Sequence, residues 1–190
     1  MKKFVIIIFC CLIINGCAGF SFVLSGVNMI HDRYYVGSAL KDQHISLLAQ
    51  DAINNSPELV DKCSISVATC NKIVLLTGHT GSWHLSKRAR QKVAKISGIR
   101  RIYNYIKVKK KPRKTDYIKD TWITAKIRTK IYANFDVDPR KIKVVTENGT
   151  VYLMGCMPRK QANLIVKMAK NTDGVKRIKR LFEYIVITRS

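Results

Sequence analysis

The chain has 190 residues and a mass of 21.7 kDa, with 35 Lys and Arg against 12 Asp and Glu, a formal charge of +23. With 47% apolar residues, 4 Pro and 10 Gly it is too hydrophobic for a disordered basic tail and too charged for an ordinary neutral housekeeping domain. Residues 1–86 hold 6 basic and 5 acidic side chains and residues 87–190 hold 29 and 7, so the second half calls for an anionic partner: nucleic acid, an anionic membrane surface or an acidic protein. A compositional reading stands beside these, because Lys and Ile, 23 of each, rise together under AT-rich codon drift.

The first segment, MKKFVIIIFCCLIINGC, has a basic start at Lys2 and Lys3, an apolar run from Phe4 to Ile14 and a small residue, Gly16, before Cys17. This is the layout of an export signal. As a helix the apolar run would be about 16 Å long, too short for a hydrocarbon core of roughly 30 Å. Ile14-Asn15-Gly16-Cys17 resembles the bacterial lipobox, in which cleavage before the Cys leaves it to carry acyl chains. Residues 1–16 are then a lipoprotein signal peptide, Cys17 the lipid attachment point and residues 17–43 a lipidated tether. A free thiol after an ordinary cleaved signal, or a Cys buried in an uncleaved helix, is the alternative for Cys17. Ala18 follows it rather than Asp, which in the lipoproteins this resembles favours the outer membrane. Export also removes the nucleic-acid reading.

The remaining cysteines, Cys63, Cys70 and Cys156, are odd in number, and a strand between Cys63 and Cys70 would hold those two over roughly 20 Å apart, beyond disulfide reach. No CxxC or His/Cys spacing suits a metal, and no cofactor is expected.

From residue 44 onward the order helix-strand-strand-helix-strand is read twice, over 44–108 and 119–188. IVLLTG (73–78) aligns with VYLMG (151–155), each taken as a short apolar strand stopped by Gly. Alternating strands SISVAT and KIKVVT precede them. After them come amphipathic helices with apolar positions Leu85, Ala89, Val93 and Ile96 in one copy and Ala162, Ile165, Val166 and Ala169 in the other. Gly98 and Gly174 fall where a left-handed helix cap is expected. Asn148-Gly149 suits a two-residue hairpin turn, whereas Asn71-Lys72 in the first copy predicts a different turn or some strain, since Lys tolerates positive φ poorly. Copies of about 65 residues are near the lower limit for an independent core, so the two are expected to brace each other. Residues 109–118, with Pro112, read as a linker or the lead-in to the next helix.

Two such units, DTWITAKIR (120–128), VTENGTVYLMG (145–155) and GVKRI (174–178) resemble BON domains, and the lipobox ahead of them resembles the outer-membrane lipoproteins that carry two. The resemblance covers nearly all of the chain after Cys17, with Lys72 at a usual Gly and the high basic charge as departures. It implies an α+β fold of two tandem BON domains, each a small three-stranded mixed sheet packed by two helices. It further implies a non-enzymatic, periplasm-facing lipoprotein that binds anionic phospholipid such as phosphatidylglycerol through the first helix of the second domain. Support of outer-membrane integrity and cell separation, with envelope proteins of the cell-separation amidase pathway as partners, is implied as well.

In that helix Ile123, Ile127 and Ile131 form a core seam, and a wheel at 100° per residue brings Thr121, Trp122, Ala125, Lys126, Thr129 and Ala133 to the surface with Lys130 on the border. Trp beside Lys suits a headgroup layer, the indole in the interface and the ammonium on phosphate. On the residues alone, Trp122 packing against the first domain or the linker is an equal alternative; the resemblance favours membrane contact. The GVKRIKR run splits by alternation, with Arg177 and Lys179 on one face and Lys176 and Arg180 on the other, and is left outside the site. Trp83, opening a helix, is expected to be a staple or an interdomain contact. No nucleophile-base grouping, phosphate loop or carboxylate pair points to an enzyme. The rival reading is a periplasmic scaffold of the same fold, whose basic surface docks an envelope protein.

Overall fold

The computed structural model describes residues 29–109 and 114–186; the expected signal peptide, Cys17, much of the tether and residues 110–113 lie outside the described residues. The first repeat comprises α1 (Met29–Asn54), α2 (Pro57–Lys62), β1 (Cys63–Cys70), β2 (Ile73–Thr80), α3 (Trp83–Val93), β3 (Arg101–Asn104) and β4 (Lys107–Val108). The second comprises α4 (Lys114–Tyr132), a 3-10 turn at Pro139–Lys141, β5 (Ile142–Glu147), β6 (Thr150–Met157), α5 (Arg159–Lys170) and β7 (Arg177–Tyr184). The chain from Tyr34 onward behaves as one body. The expected element order is present twice, and the fold is α+β.

Each sheet is mixed. β1 pairs antiparallel with β2, and β3 and β4 both run parallel to β2 as one strand interrupted at Tyr105 and Ile106. β5 pairs antiparallel with β6, and β7 runs parallel to β6 over its full length. A parallel third strand requires a crossover, which α3 and α5 supply. Their periodic residues are buried as the spacing predicts: Leu85, Ala89 and Val93 in α3; Ala162, Ile165, Val166 and Ala169 in α5.

Glycine does not stop the central strands as expected; β2 continues past Gly78 to Thr80 and β6 past Gly155 to Met157. The reason for glycine is the neighbouring backbone. A Cβ on Gly78 would lie 1.9 Å from the Ser64 carbonyl oxygen, and one on Gly155 would lie 2.3 Å from that of Lys141. Both positions exclude any side chain because the antiparallel partner passes too close.

Both hairpin turns have left-handed backbone at their two central residues, Asn71 and Lys72 (φ 51° and 60°) and Asn148 and Gly149 (φ 50° and 69°). The first turn is therefore the same as the second, with the strain carried by Lys72. An aspartate on the preceding helix clamps each turn. Asp42 accepts from the N–H groups of Asn71 and Lys72 at 2.6 and 2.7 Å, and Asp120 from those of Asn148 and Gly149 at 2.6 and 2.8 Å. Two charge-assisted bonds to a turn whose N–H groups have no ladder partner tie helix to hairpin in both copies. A hydroxyl pair repeats the tie, Ser46 to Thr69 and Thr124 to Thr146.

Each sheet covers its own helices with one face and the other sheet with the second. β2 is buried along its whole length and β6 at all but one residue, Cys156. Ala68, Ile73 and Leu75 meet Tyr152, Met154 and Leu181 in the layer between the sheets, with Tyr103, Tyr105 and Val145 at its margin. Burying each of the larger side chains stabilises by about 1.5–3 kcal/mol, so the copies do brace each other. Polar ties flank this layer: Glu183 of β7 accepts from Arg100 and Asn71, and the hydroxyls of Ser64 and Tyr117 lie 2.8 Å apart. Cys63, Cys70 and Cys156 are free thiols.

Candidate functional site

Helix α4 crosses the outside of the second sheet. Ile123, Ile127 and Ile131 enter the core with Val144, Val151, Leu153 and Ile165, which fixes the rotation of everything else on the helix. On the opposite side Thr121, Trp122, Ala125, Lys126, Thr129, Lys130 and Ala133 are all exposed. Trp122 is 65% exposed. Thr121 and Thr129 turn their hydroxyls back onto the Tyr117 and Ala125 carbonyls at 2.9 and 3.1 Å, so along this face they present mainly methyl groups. Lys130 alone is committed elsewhere: its Nζ donates to Thr172 Oγ1 at 2.9 Å and to the Asn171 carbonyl, at the C-terminal end of α5, where a cation is favoured.

The same face extends further than sequence reasoning took it. Ile118, one turn before Trp122, is 59% exposed, and Tyr132 is 70% exposed. Phe135, just past the helix end, projects fully into solvent. Carrying the wheel one turn back from Trp122 and reading Tyr132 beside Ala133 would have found the first two. Phe135 lies beyond the helix and left no periodic signal. The result is an apolar ridge from Ile118 to Phe135 with Lys126 set into it.

Two clefts flank the ridge. One, of about 400 Å³, is lined by Lys119, Lys126 and Lys176 and by Trp122, with Asp116 and Asp173 also on its walls and Asp120 engaged in the turn clamp. The other, of about 450 Å³, lies between α4 and the strands β1 and β5, with Thr121, Ala125, Arg128 and Lys143 on its walls. Trp122 therefore stands beside a cleft lined by three lysines and three aspartates, of which Asp120 is tied up in the turn clamp.

Trp83 is 71% exposed at the first turn of α3. It neither staples the helix nor bridges the domains, because the N-cap is made by Ser82 Oγ accepting from Leu85 N–H at 3.3 Å, and the indole is left outside.

The layer between the sheets holds one buried titratable pair. His79 Nδ1 of β2 lies 3.2 Å from Glu147 Oε1 of β5, both side chains being less than a tenth exposed, and the angle does not make a hydrogen bond. Burial lowers the His79 pKa, with Lys107 and Lys109 acting the same way. Burial, with the Asp120 carboxylate adding to it, pushes Glu147 up to about 6. Among the described residues no cluster of three His, Cys, Asp or Glu could hold a metal, and no helix is long and apolar enough to cross a membrane.

The BON domain family matches residues 41–110 and again residues 119–185. The chain belongs to the BON family. Curated members align over most of their length. The outer membrane lipoprotein DolP of Haemophilus influenzae is 24% identical over 97% of this chain and 97% of its own. The 21 kDa hemolysin of Actinobacillus pleuropneumoniae is 30% identical over 81% and 79%, and the osmotically-inducible protein Y of Escherichia coli 29% over 76% and 73%. In both BON domains of this chain the helix that opens the domain carries the clamp aspartate, and only in the second does it carry a tryptophan.

Proposed function

We propose that this chain is a non-enzymatic outer-membrane lipoprotein, held on the periplasmic side by acyl chains on Cys17, that binds anionic phospholipid through α4. The observation that carries the reading is the exposed ridge from Ile118 to Phe135, with Trp122 one turn from its N-terminal end and Lys126 and Lys119 beside it. An indole lowered into the headgroup layer leaves the lysines level with phosphate, each contributing about 1 kcal/mol at an anionic surface. The likeness to an outer membrane lipoprotein over 97% of both chains supports the location. Tethering at Cys17 makes the headgroup contact effectively intramolecular, so a weak site suffices. In the cell this contact supports outer-membrane integrity and cell separation.

Vesicle flotation tests it, using the chain from residue 17 with Cys17→Ser. Binding to phosphatidylglycerol-containing vesicles and not to neutral ones, reduced about tenfold or more by Trp122→Glu and weakened by salt, is the expected result. Equal binding of wild type and variant would reject α4 as the reader. Since Trp122 is largely exposed, the variant leaves the isoleucine seam intact.

A further inference from the structure

We infer that β7 is a docking edge for an extended segment of a partner protein in which acidic residues alternate with apolar ones. Among the described residues β7 pairs with β6 alone. Arg177 and Ile185 donate their N–H groups to Gly149 and Met157, so the odd-numbered residues face β6 and the even ones, Ile178, Arg180, Phe182 and Tyr184, turn their N–H and C=O groups to the open edge. Eight paired residues without a proline or a bulge make this a long edge. Such an edge is a template for strand addition unless something blocks it.

What guards this edge is charge of one sign, and that charge selects the guest. Arg177, Lys179 and Arg180 lie within the strand, and its single acid, Glu183, is held by Arg100 and Asn71. A second copy of the same strand is repelled; an acidic one is attracted. The two faces differ in a way that sets the alternation. Toward the first sheet, Arg177 and Lys179 look onto a tyrosine shelf: the Lys179 ammonium lies 5.6 Å from the Tyr105 ring, Tyr105 stacks on Tyr103 at 6.3 Å, and Arg101 donates to the Tyr103 hydroxyl at 3.1 Å. Side chains of an added strand on that face meet cations. On the helix face the added strand meets Ile178 and Phe182, which are only partly buried against the core, with the exposed Arg180 between them. There the guest needs apolar residues opposite Ile178 and Phe182, and Arg180 adds to the repulsion of a basic guest.

The probe is a labelled peptide, acetyl-Val-Glu-Val-Glu-Val-Glu-Val-amide, titrated by fluorescence anisotropy against the full-length chain in non-ionic detergent. Its Lys-for-Glu counterpart serves as control. The Glu peptide is expected to bind and the Lys peptide not to. Two further peptides, N-methylated at the Glu or at the Val positions, block one strand edge each; one is expected to bind like the parent and the other at least tenfold more weakly. Arg177→Glu with Lys179→Glu, both exposed positions, is expected to weaken the parent peptide at least tenfold, whereas Trp122→Glu leaves it unchanged. Absence of parent binding overturns the proposal. So does equal binding of both N-methylated forms, which would mean that charge alone holds the peptide. Either failure leaves the vesicle result for Trp122 untouched.

Discussion

The opening helices of the two repeats can be laid over one another by their clamp aspartates, Asp42 on Asp120. The buried positions then coincide: Ile45, Ala49 and Ile53 on Ile123, Ile127 and Ile131. Outside, they part. Trp122 falls on His44, Lys126 on Leu48, and Thr129 on Asp51. The first helix does expose apolar surface, with Leu40 62%, Leu47 63% and Leu48 41% accessible, and Lys41 stands where the second helix has Lys119, but it has no indole and no lysine at the place of Lys126. Duplication kept the helix-hairpin tie, which every copy needs in order to fold, and left the outer face free to diverge. Lipid reading on this view belongs to one repeat. Trp122→Glu should cut binding to anionic vesicles about tenfold or more while His44→Glu, at the matching place, should leave it unchanged; flotation of the two variants side by side measures the contrast. Comparable losses would mean that both helices read the surface and would erase the distinction.

The clamps should separate the repeats less in kind than in size. Asp120 is buried, its turn closed by a glycine; Asp42 is half-buried and holds a lysine at φ 60°. Removing either carboxylate strands two turn N–H groups. Asp120→Ala is expected to cost about 2–4 kcal/mol and Asp42→Ala about 1–3 kcal/mol, because water can reach the first turn more easily. Urea unfolding of each variant gives the values. Reversed order would show that strain at Lys72 outweighs burial at Gly149. The strain has its own test. Lys72→Gly should stabilise by about 1 kcal/mol through relief of the left-handed lysine, whereas Gly149→Lys should destabilise, since a Cβ there would lie 2.9 Å from the Lys176 side chain and 3.2 Å from the Gly174 carbonyl oxygen.

The sheets, the crossover helices and the α4 wheel were legible because each is written in a local period: two for strands, 3.6 for helices. The clamp aspartates were harder. Leu40-Lys41-Asp42 and Ile118-Lys119-Asp120 are near-identical triplets standing at the same place in each repeat, and aligning the repeats one helix earlier would have exposed them. Their role, a carboxylate across from a turn 28 to 30 residues away, is tertiary and has no local signature. Glycines 78 and 155 were seen but misread as strand ends, because close approach of a neighbouring backbone looks the same in sequence as a break. Trp83 stands where a helix opens, which suggests a staple or an interdomain contact, yet it is 71% exposed. Ser82 directly before it is an ordinary N-cap signal, and it caps the helix without the indole.

The smallest expected effect concerns the pair between the sheets, which joins the repeats rather than distinguishing them. Glu147 is raised to about 6 from an ordinary 4.5, so the folded state holds this proton more tightly than the unfolded chain, and the group adds stability as pH falls from above 6 toward 4.5. His79 is lowered below 6.5 by burial and by Lys107 and Lys109. The unfolded chain takes its proton first, and His79 subtracts stability as pH falls through 6.5. Between pH 7 and 5 the two oppose each other and the wild type should vary little on their account. Glu147→Gln removes one side of that balance: no buried carboxylate has to ionise at pH 7.5, and an amide can donate to the unpartnered His79 Nδ1. The variant should be more stable than wild type at pH 7.5 and lose that advantage as pH is lowered to 5, by urea unfolding at both values. A variant clearly less stable than wild type at pH 5 would mean that His79 and Glu147 are held there as an ion pair, with both pKa directions reversed.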